Sequence, residues 1–247
     1  AALRKELRPD TILVCIMMVN NEVGSVMPVQ QMAKLTKRIC PNAIFHTDAV
    51  QGFLKIPFAA KTLGADLISI SSHKVHGPKG CGALYISPRL KSFPPLLHGG
   101  GQEGNFRSGT EGTPAIFSFA AACEAGAATL KADIAHEKEL LNSLVEKISG
   151  LEGIVVNGCH EAPHILSLSI PGVPTQNTIN ILQDHGICVS AGSACAKGHR
   201  SHVLETMGLK PEVMDGSFRV SLCRNTTQEE LDTLVDVIRD EILPRAR

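Results

Sequence analysis

Apolar residues along the chain keep two rhythms, short continuous or period-two runs and longer repeats at three- and four-residue steps, and the first half changes from one to the other in regular order. Residues 11–19 are apolar nearly throughout, which predicts a strand buried on both faces of a parallel sheet. Asn20-Asn21-Glu22-Val23-Gly24 ends it. Pro28 opens a helix with Val29, Met32, Ala33 and Ile39 on one face, and Pro41 closes it. Residues 43–47 predict a second strand that delivers Asp48 at its end, residues 67–70 a third and residues 81–86 a fourth. Strand, helix, strand is a βαβ unit. Ligands of open α/β sheets bind beyond the carboxyl ends of the strands, so Asn21, Asp48, Gln51 and Lys74 fall where one crevice would be.

From Pro114 to about Ile148 the repeat is helical, through Ile116, Phe119, Cys123, Leu130, Ile134, Leu141, Leu144 and Ile148. Its length predicts a bridge between a domain over residues 1–130 and a smaller α/β domain over 131–247. In the second part, residues 154–156, 165–170, 187–190 and 217–222 predict strands, and residues 178–185 a helix ending at Gly186. Thr226-Thr227-Gln228-Glu229 predicts a capping box for a terminal helix whose apolar face is Leu231, Leu234, Val235, Ile238 and Ile242.

Chemistry concentrates in Ser71-Ser72-His73-Lys74-Val75-His76-Gly77-Pro78-Lys79-Gly80, where a predicted strand ends in a rigid turn. A lysine held at a strand end has its ammonium pKa lowered by desolvation or cationic neighbours and becomes competent to form a Schiff base. Two hydroxyls and an imidazole beside it suit a phosphate. Singly, each candidate also has a plain reading: Asn20 and Asn21 as turn formers, Asp48 as an N-cap, Gln51 and Lys74 as solvated side chains. The glycine-rich stretch from His98 to Thr110 offers backbone amides, Arg107 and Thr110 to an anion, or serves as a connector.

Composition narrows the class. Twenty-four basic and 24 acidic residues give a net charge of +0, which argues against a nucleic-acid or anionic-membrane partner. The apolar run over residues 12–19 is too short to span a bilayer, so a cytoplasmic or organelle-matrix location is the expectation. The chain opens on Ala1, which suggests a fragment or a processed form. Eight cysteines without Cys-x-x-Cys pairs fit neither a disulfide framework nor a zinc or other metal site, and most are expected to be buried and inert. Cys195 differs. It lies among small residues and is followed by Lys197, His199 and Arg200, neighbours that favour a thiolate.

Taken together, six motifs in order resemble the pyridoxal-phosphate-dependent cysteine desulfurases and selenocysteine lyases, the class V group of fold-type I aminotransferases. They are Val19-Asn20-Asn21-Glu22-Val23-Gly24, His46-Thr47-Asp48-Ala49-Val50-Gln51, the stretch from Ser71 to Gly80, Arg107-Ser108-Gly109-Thr110, Ser190-Ala191-Gly192-Ser193-Ala194-Cys195, and Phe218-Arg219-Val220-Ser221-Leu222. Two departures stand out: Leu222-Cys223-Arg224 replaces a common Leu-Gly-Arg, and the segment between Cys195 and Ser201 is shorter than in long-loop members.

The resemblance implies an α/β fold, the C-terminal part of a fold-type I enzyme with a partial, mostly parallel sheet and a smaller α/β domain. It implies pyridoxal 5'-phosphate carried on Lys74, with Asp48 at the pyridine nitrogen. Asn21 and Gln51 would meet the ring hydroxyl, Ser71 and His73 the phosphate, and Thr110 the phosphate of a homodimer partner. Arg219 would take the substrate carboxylate and Cys195 the sulfur of L-cysteine, or L-selenocysteine in a lyase, for transfer to an acceptor protein. A catalytically incomplete half-chain acting as an interaction module is the third reading. Family members also have an upstream half supplying a Gly-Thr turn at the phosphate and a histidine over the ring, which nothing before Asn20 matches. The expectation is a sheet with an unpaired edge and half a cofactor site, empty or completed by another polypeptide.

Overall fold

The computed structural model describes residues 2–90, 93–191 and 200–246, and the chain divides into two compact units. The first comprises Ala1–Val19 and Met27–Thr129; the second comprises Asn20–Val26 and Leu130–Arg247. The long helix over residues 113–149 gives its first part to one and its remainder to the other.

In the first unit, α1 (Ala2–Glu6), β1 (Leu13–Met17), α2 (Val29–Ile39), β2 (Ile44–Asp48), α3 (Ala60–Leu63), β3 (Leu67–Ser71) and β4 (Gly82–Ile86) precede α4 (Thr113–Ser149). The sheet order is β1-β2-β3-β4, with parallel pairs β1·β2 and β2·β3 and an antiparallel β4. One face carries Val14, Phe45, Thr47 and Ile68, all buried, and α2 buries Val29, Ala33 and Thr36. The other face is uncovered. Leu13 is 50% exposed, Cys15, Met17 and Leu84 are exposed, and Ile44, His46, Asp48, Ser69 and Ser71 are half-buried.

This corrects the expectation of a first strand buried on both faces. The strand is an edge with one bare face, because a continuous apolar run reports a strand that can be covered on both sides, not one that is. Phe53 stacks edge-on against Phe58 and against Phe119 of α4, at 6.5 and 6.4 Å between ring centres.

The second unit holds β5 (Val155–Asn157), β6 (Ile165–Ser169), α5 (Thr175–Asp184), α6 (His202–Thr206), α7 (Pro211–Asp215), β7 (Ser217–Ser221) and α8 (Gln228–Val237). Its antiparallel sheet runs β5-β6-β7, with β6 buried at every position. Leu144 and Ile148 of α4, Leu166, Leu168, Phe218 and Leu182 form its core with the terminal helix face Leu231, Leu234, Val235, Ile238 and Ile242.

Two expectations shift. Residues 187–190 form no strand, and only Ser190 pairs with Arg219. The segment leaves β7 around a cavity of about 340 Å³ lined by Ile187, Val189, Val220, Leu231 and Leu234. The capping box lies one residue later than expected: Thr227 accepts from the Glu230 N–H while Glu230 accepts from the Thr227 N–H. Two adjacent threonines and two adjacent glutamates make both registers legible in sequence, and the helix start selects one. Among the described residues, no helix is long and apolar enough to cross a membrane.

Candidate functional site

Asp48 closes β2, where Met17, Asp48 and Ser69 stand in register across three strands. Its carbonyl accepts from the Met18 N–H at 2.7 Å, and Oδ1 accepts from the Val50 N–H at 2.8 Å. That second bond fixes the carboxylate at the mouth of the turn leading to half-buried Gln51. One residue pair down the same face, His46 Nε2 and Ser69 Oγ are 3.0 Å apart.

β3 ends two residues beyond Ser69, at Ser71, and a single 3-10 turn over Ser72–Lys74 follows. Ser71 Oγ and His73 Nδ1 share a 2.8 Å hydrogen bond. Lys74 is half-buried and His73 exposed. The turn is closed by its own backbone. The Ser72 carbonyl accepts from both the Val75 and Gly77 N–H groups at 3.0 Å, and the Ser72 N–H donates to the Cys81 carbonyl at 3.1 Å. A Cβ at position 77 would stand 2.1 Å from Ser72 Oγ, so glycine is the residue that fits without displacing that serine. His76 takes φ +66°, the left-handed region that turns the chain back.

Asp48 and Ser71 therefore share a face of adjacent strands, two residues apart along the sheet, a span on the order of 8 Å. An acceptor at one end, and a hydroxyl, an imidazole and an amine at the other, fit a ring nitrogen and a phosphate joined by a short aromatic spacer. Thr110 is exposed at the end of the glycine-rich loop, and no described hydrogen bond joins it to this group. That loop is built, not slack: Leu97 bridges Arg107, the Gly109 N–H donates to Gln102 Oε1 at 3.2 Å, and Phe106 packs edge-on against Phe93.

The second unit gathers a different pair, Asn21 and Arg219. Asn20 Oδ1 accepts from the Glu22 and Val23 N–H groups, and Gly24 reverses the chain at φ +70°. A Cβ on Gly24 would meet the Ile165 carbonyl at 2.9 Å. Arg219, in mid-β7, donates from Nη1 to the Asn21 carbonyl at 2.6 Å, from Nη2 to Ser190 Oγ at 3.2 Å and from Nε to Ser221 Oγ at 3.2 Å. Its backbone pairs with Ser190 in both directions. Burial pushes the guanidinium pKa down, and the Glu22 charge opposes that shift without cancelling it.

Cys195 lies outside the described residues, as do Lys197 and His199. Arg200 binds Asp215 through two 2.7 Å hydrogen bonds, so its charge is already matched by a carboxylate. Of the seven cysteines described, only Cys40 is buried, while Cys15, Cys159 and Cys188 are exposed. The expectation of mostly buried thiols fails because exposure of the sheet face and of the loops is set by packing, not by residue type.

Ser190 and Ser221 were not singled out by sequence, although Ser221 stands two residues along the strand from Arg219 and so on its face. Glu22 was named only within its motif.

Comparison with known proteins gives a consistent result. The family description "Aminotransferase class-V" matches residues 1–234. A cysteine desulfurase of Nostoc sp. is 39% identical over 250 residues, 99% of this chain and 62% of the relative. The mitochondrial cysteine desulfurase of Arabidopsis thaliana is 40% identical over 245 residues, 95% of this chain and 52% of the relative. Among solved structures, a NifS-like protein superposes with a TM-score of 0.88 at 38% identity, covering 98% of this chain and 64% of the other. The apo cysteine desulfurase of Thermococcus onnurineus gives 0.86 at 26% identity, covering 98% and 62%. The chain thus spans between 52% and 64% of the length of these relatives.

Proposed function

Because the chain belongs to the class-V aminotransferase family, we propose that it is the larger part of a pyridoxal-phosphate-dependent cysteine desulfurase that takes sulfur from L-cysteine and hands it to an acceptor protein. The observation that carries this reading is the turn at the end of β3, where Ser71 and His73 are hydrogen-bonded and Lys74 is held half-buried beside them.

When bound, pyridoxal phosphate supplies an electron sink for charge developing at the substrate α-carbon. Ser71 and His73 would hold its phosphate. Asp48, its carboxylate oriented by the Val50 N–H, would keep a proton on the ring nitrogen. Asn21 and Gln51 would meet the ring hydroxyl, and Thr110 would serve the phosphate of a second subunit. The Lys74 amine would attach the cofactor and supply the base that moves protons at the substrate α-carbon. Arg219 has spent three of its five N–H groups on described oxygens and offers the rest to the substrate carboxylate. Cys195 thiolate attacks the substrate sulfur: an S–S bond forms, the C–S bond breaks, and a proton on carbon completes alanine. The persulfide left on Cys195 is what an acceptor thiol takes.

The bare sheet face and free β1 edge call for a further layer of polypeptide, so half of the pocket is supplied by chain beyond these residues or by a partner. Relatives named cysteine desulfurase leave the selenocysteine lyase reading without support of its own. The test is to load the complete enzyme with pyridoxal phosphate, scan its visible absorption, and assay alanine and persulfide from L-cysteine. Failure to form a cofactor band, or a band without alanine, rejects the proposal.

A further inference from the structure

Glu22 is a carboxylate only 3% exposed, for which the roles above have no use. It follows directly on Asn21, whose carbonyl takes the shortest of the Arg219 hydrogen bonds, at 2.6 Å. Its Oε2 accepts from the Ser201 hydroxyl at 2.5 Å. That hydroxyl is fixed from its other side, because it caps α6 by accepting from the Leu204 N–H at 3.2 Å. Val23, Leu204 and Met214 close around the same turn as an apolar plug. A buried carboxylate is costly unless hydrogen-bonded and near opposite charge, and both conditions are met here.

We propose that Glu22 is a positioning residue for Arg219: a carboxylate locked by Ser201 whose fixed negative charge holds the guanidinium aimed for a substrate carboxylate. This rests on the assignment of Arg219 to the carboxylate of an amino-acid substrate. The three described oxygens that accept from Arg219 are neutral, so they set the direction of the fork without matching its half-buried charge. Glu22 supplies the missing countercharge, and its effect on the guanidinium opposes that of burial. Ser201 holds it to one place, so it stabilises Arg219 without swinging out to neutralise it by direct pairing.

Glu22→Gln is the informative variant, since the amide oxygen still accepts from Ser201 while the charge is lost; Glu22→Ala removes both. In the pyridoxal-phosphate-loaded complete enzyme, visible titration with L-alanine and with ethylamine separates carboxylate recognition from amine binding. Glu22→Gln is expected to weaken L-alanine by about tenfold and to leave ethylamine within about twofold. Equal changes for both ligands, or none, overturn the proposal. A second measurement needs no cofactor. Phenylglyoxal modification with peptide mapping is expected to label Arg219 at least about threefold faster in Glu22→Gln than in the parent, with Arg224 unchanged as internal control. An unchanged Arg219 rate overturns the proposal even where the titration shifts. A parent enzyme that takes up no cofactor would count against the desulfurase reading alone, and the labelling arm would still decide the role of Glu22.

Discussion

Asp48 of β2 and Ser69 of β3 are register partners, which places Ser71 on the face of Asp48 and two residues further along the adjacent strand. The turn after Ser71 then presents Lys74, half-buried, and not Lys79, which is exposed. Borohydride treatment of the cofactor-loaded protein, followed by peptide mapping, is expected to find the label on Lys74. A label on Lys79 would refute the assignment.

The turn has no room at Gly77. Gly77→Ala is expected to destabilise the protein by about 1–3 kcal/mol and to weaken cofactor retention, because the new methyl meets Ser72 Oγ at 2.1 Å. Ser72→Ala removes that oxygen, so the double variant should recover part of the loss in a denaturation series. Additive losses would place the defect elsewhere.

Asp66 holds the foot of β3. It is 2% exposed and accepts from Lys37 Nζ, from the Phe45 N–H at 2.7 Å and from Arg89 Nε at 2.7 Å. Burial pushes its carboxyl pKa up, and these donors together bring it below the ordinary carboxylate value. The depressed folded-state value means that the stabilisation is complete above the unfolded value of about 4 and is lost as pH falls through the folded one. Asp66→Asn should cost on the order of 2–3 kcal/mol in urea unfolding at pH 7, and the gap to wild type should shrink near pH 3. A gap that widens on acidification would contradict this account.

Cys195→Ala in the complete enzyme should still bind pyridoxal phosphate and respond spectrally to L-cysteine, yet release no sulfide in the presence of a reductant. Cys15, Cys159 and Cys188 are exposed, so the alanine variant of each is a necessary companion. Sulfide release at the parent rate from Cys195→Ala would move the transfer to another thiol.

The 247-residue chain alone presents Ile12, Leu13 and Met17 to solvent at the β1 edge of its sheet and Leu84 at the β4 edge. It is expected to bind a hydrophobic dye strongly and to form alanine from L-cysteine at no more than a small fraction of the rate of complete relatives. Joining it to the part of a relative's length that it does not span should lower dye binding by several-fold and bring turnover. Full turnover by the chain on its own would show that the bare face is not part of an unfinished pocket.

Most elements were legible from pattern, because β2, β3, α2 and α8 each present one apolar face whose period follows from backbone geometry alone. The motif residues were legible as chemistry for a related reason: a lysine, a carboxylate or an arginine at a strand end has few structural uses. Local sequence could not tell which faces are covered. The same apolar run in β1 suits a central strand or an edge, and only the packing of the remaining elements distinguishes them. Residues 187–190 have strand-like side chains, yet pair only at Ser190, and the rest of the segment lines a cavity shared with β7 and α8. The sequence by itself determined the strand-end turn at Lys74, the helical periods and the residue types of the site. Tertiary structure alone decided that Glu22, Ser190, Ser201 and Ser221 gather around Arg219 and the turn at Asn21, because residues up to 198 positions apart meet there only after the chain has paid the entropy of closing those loops.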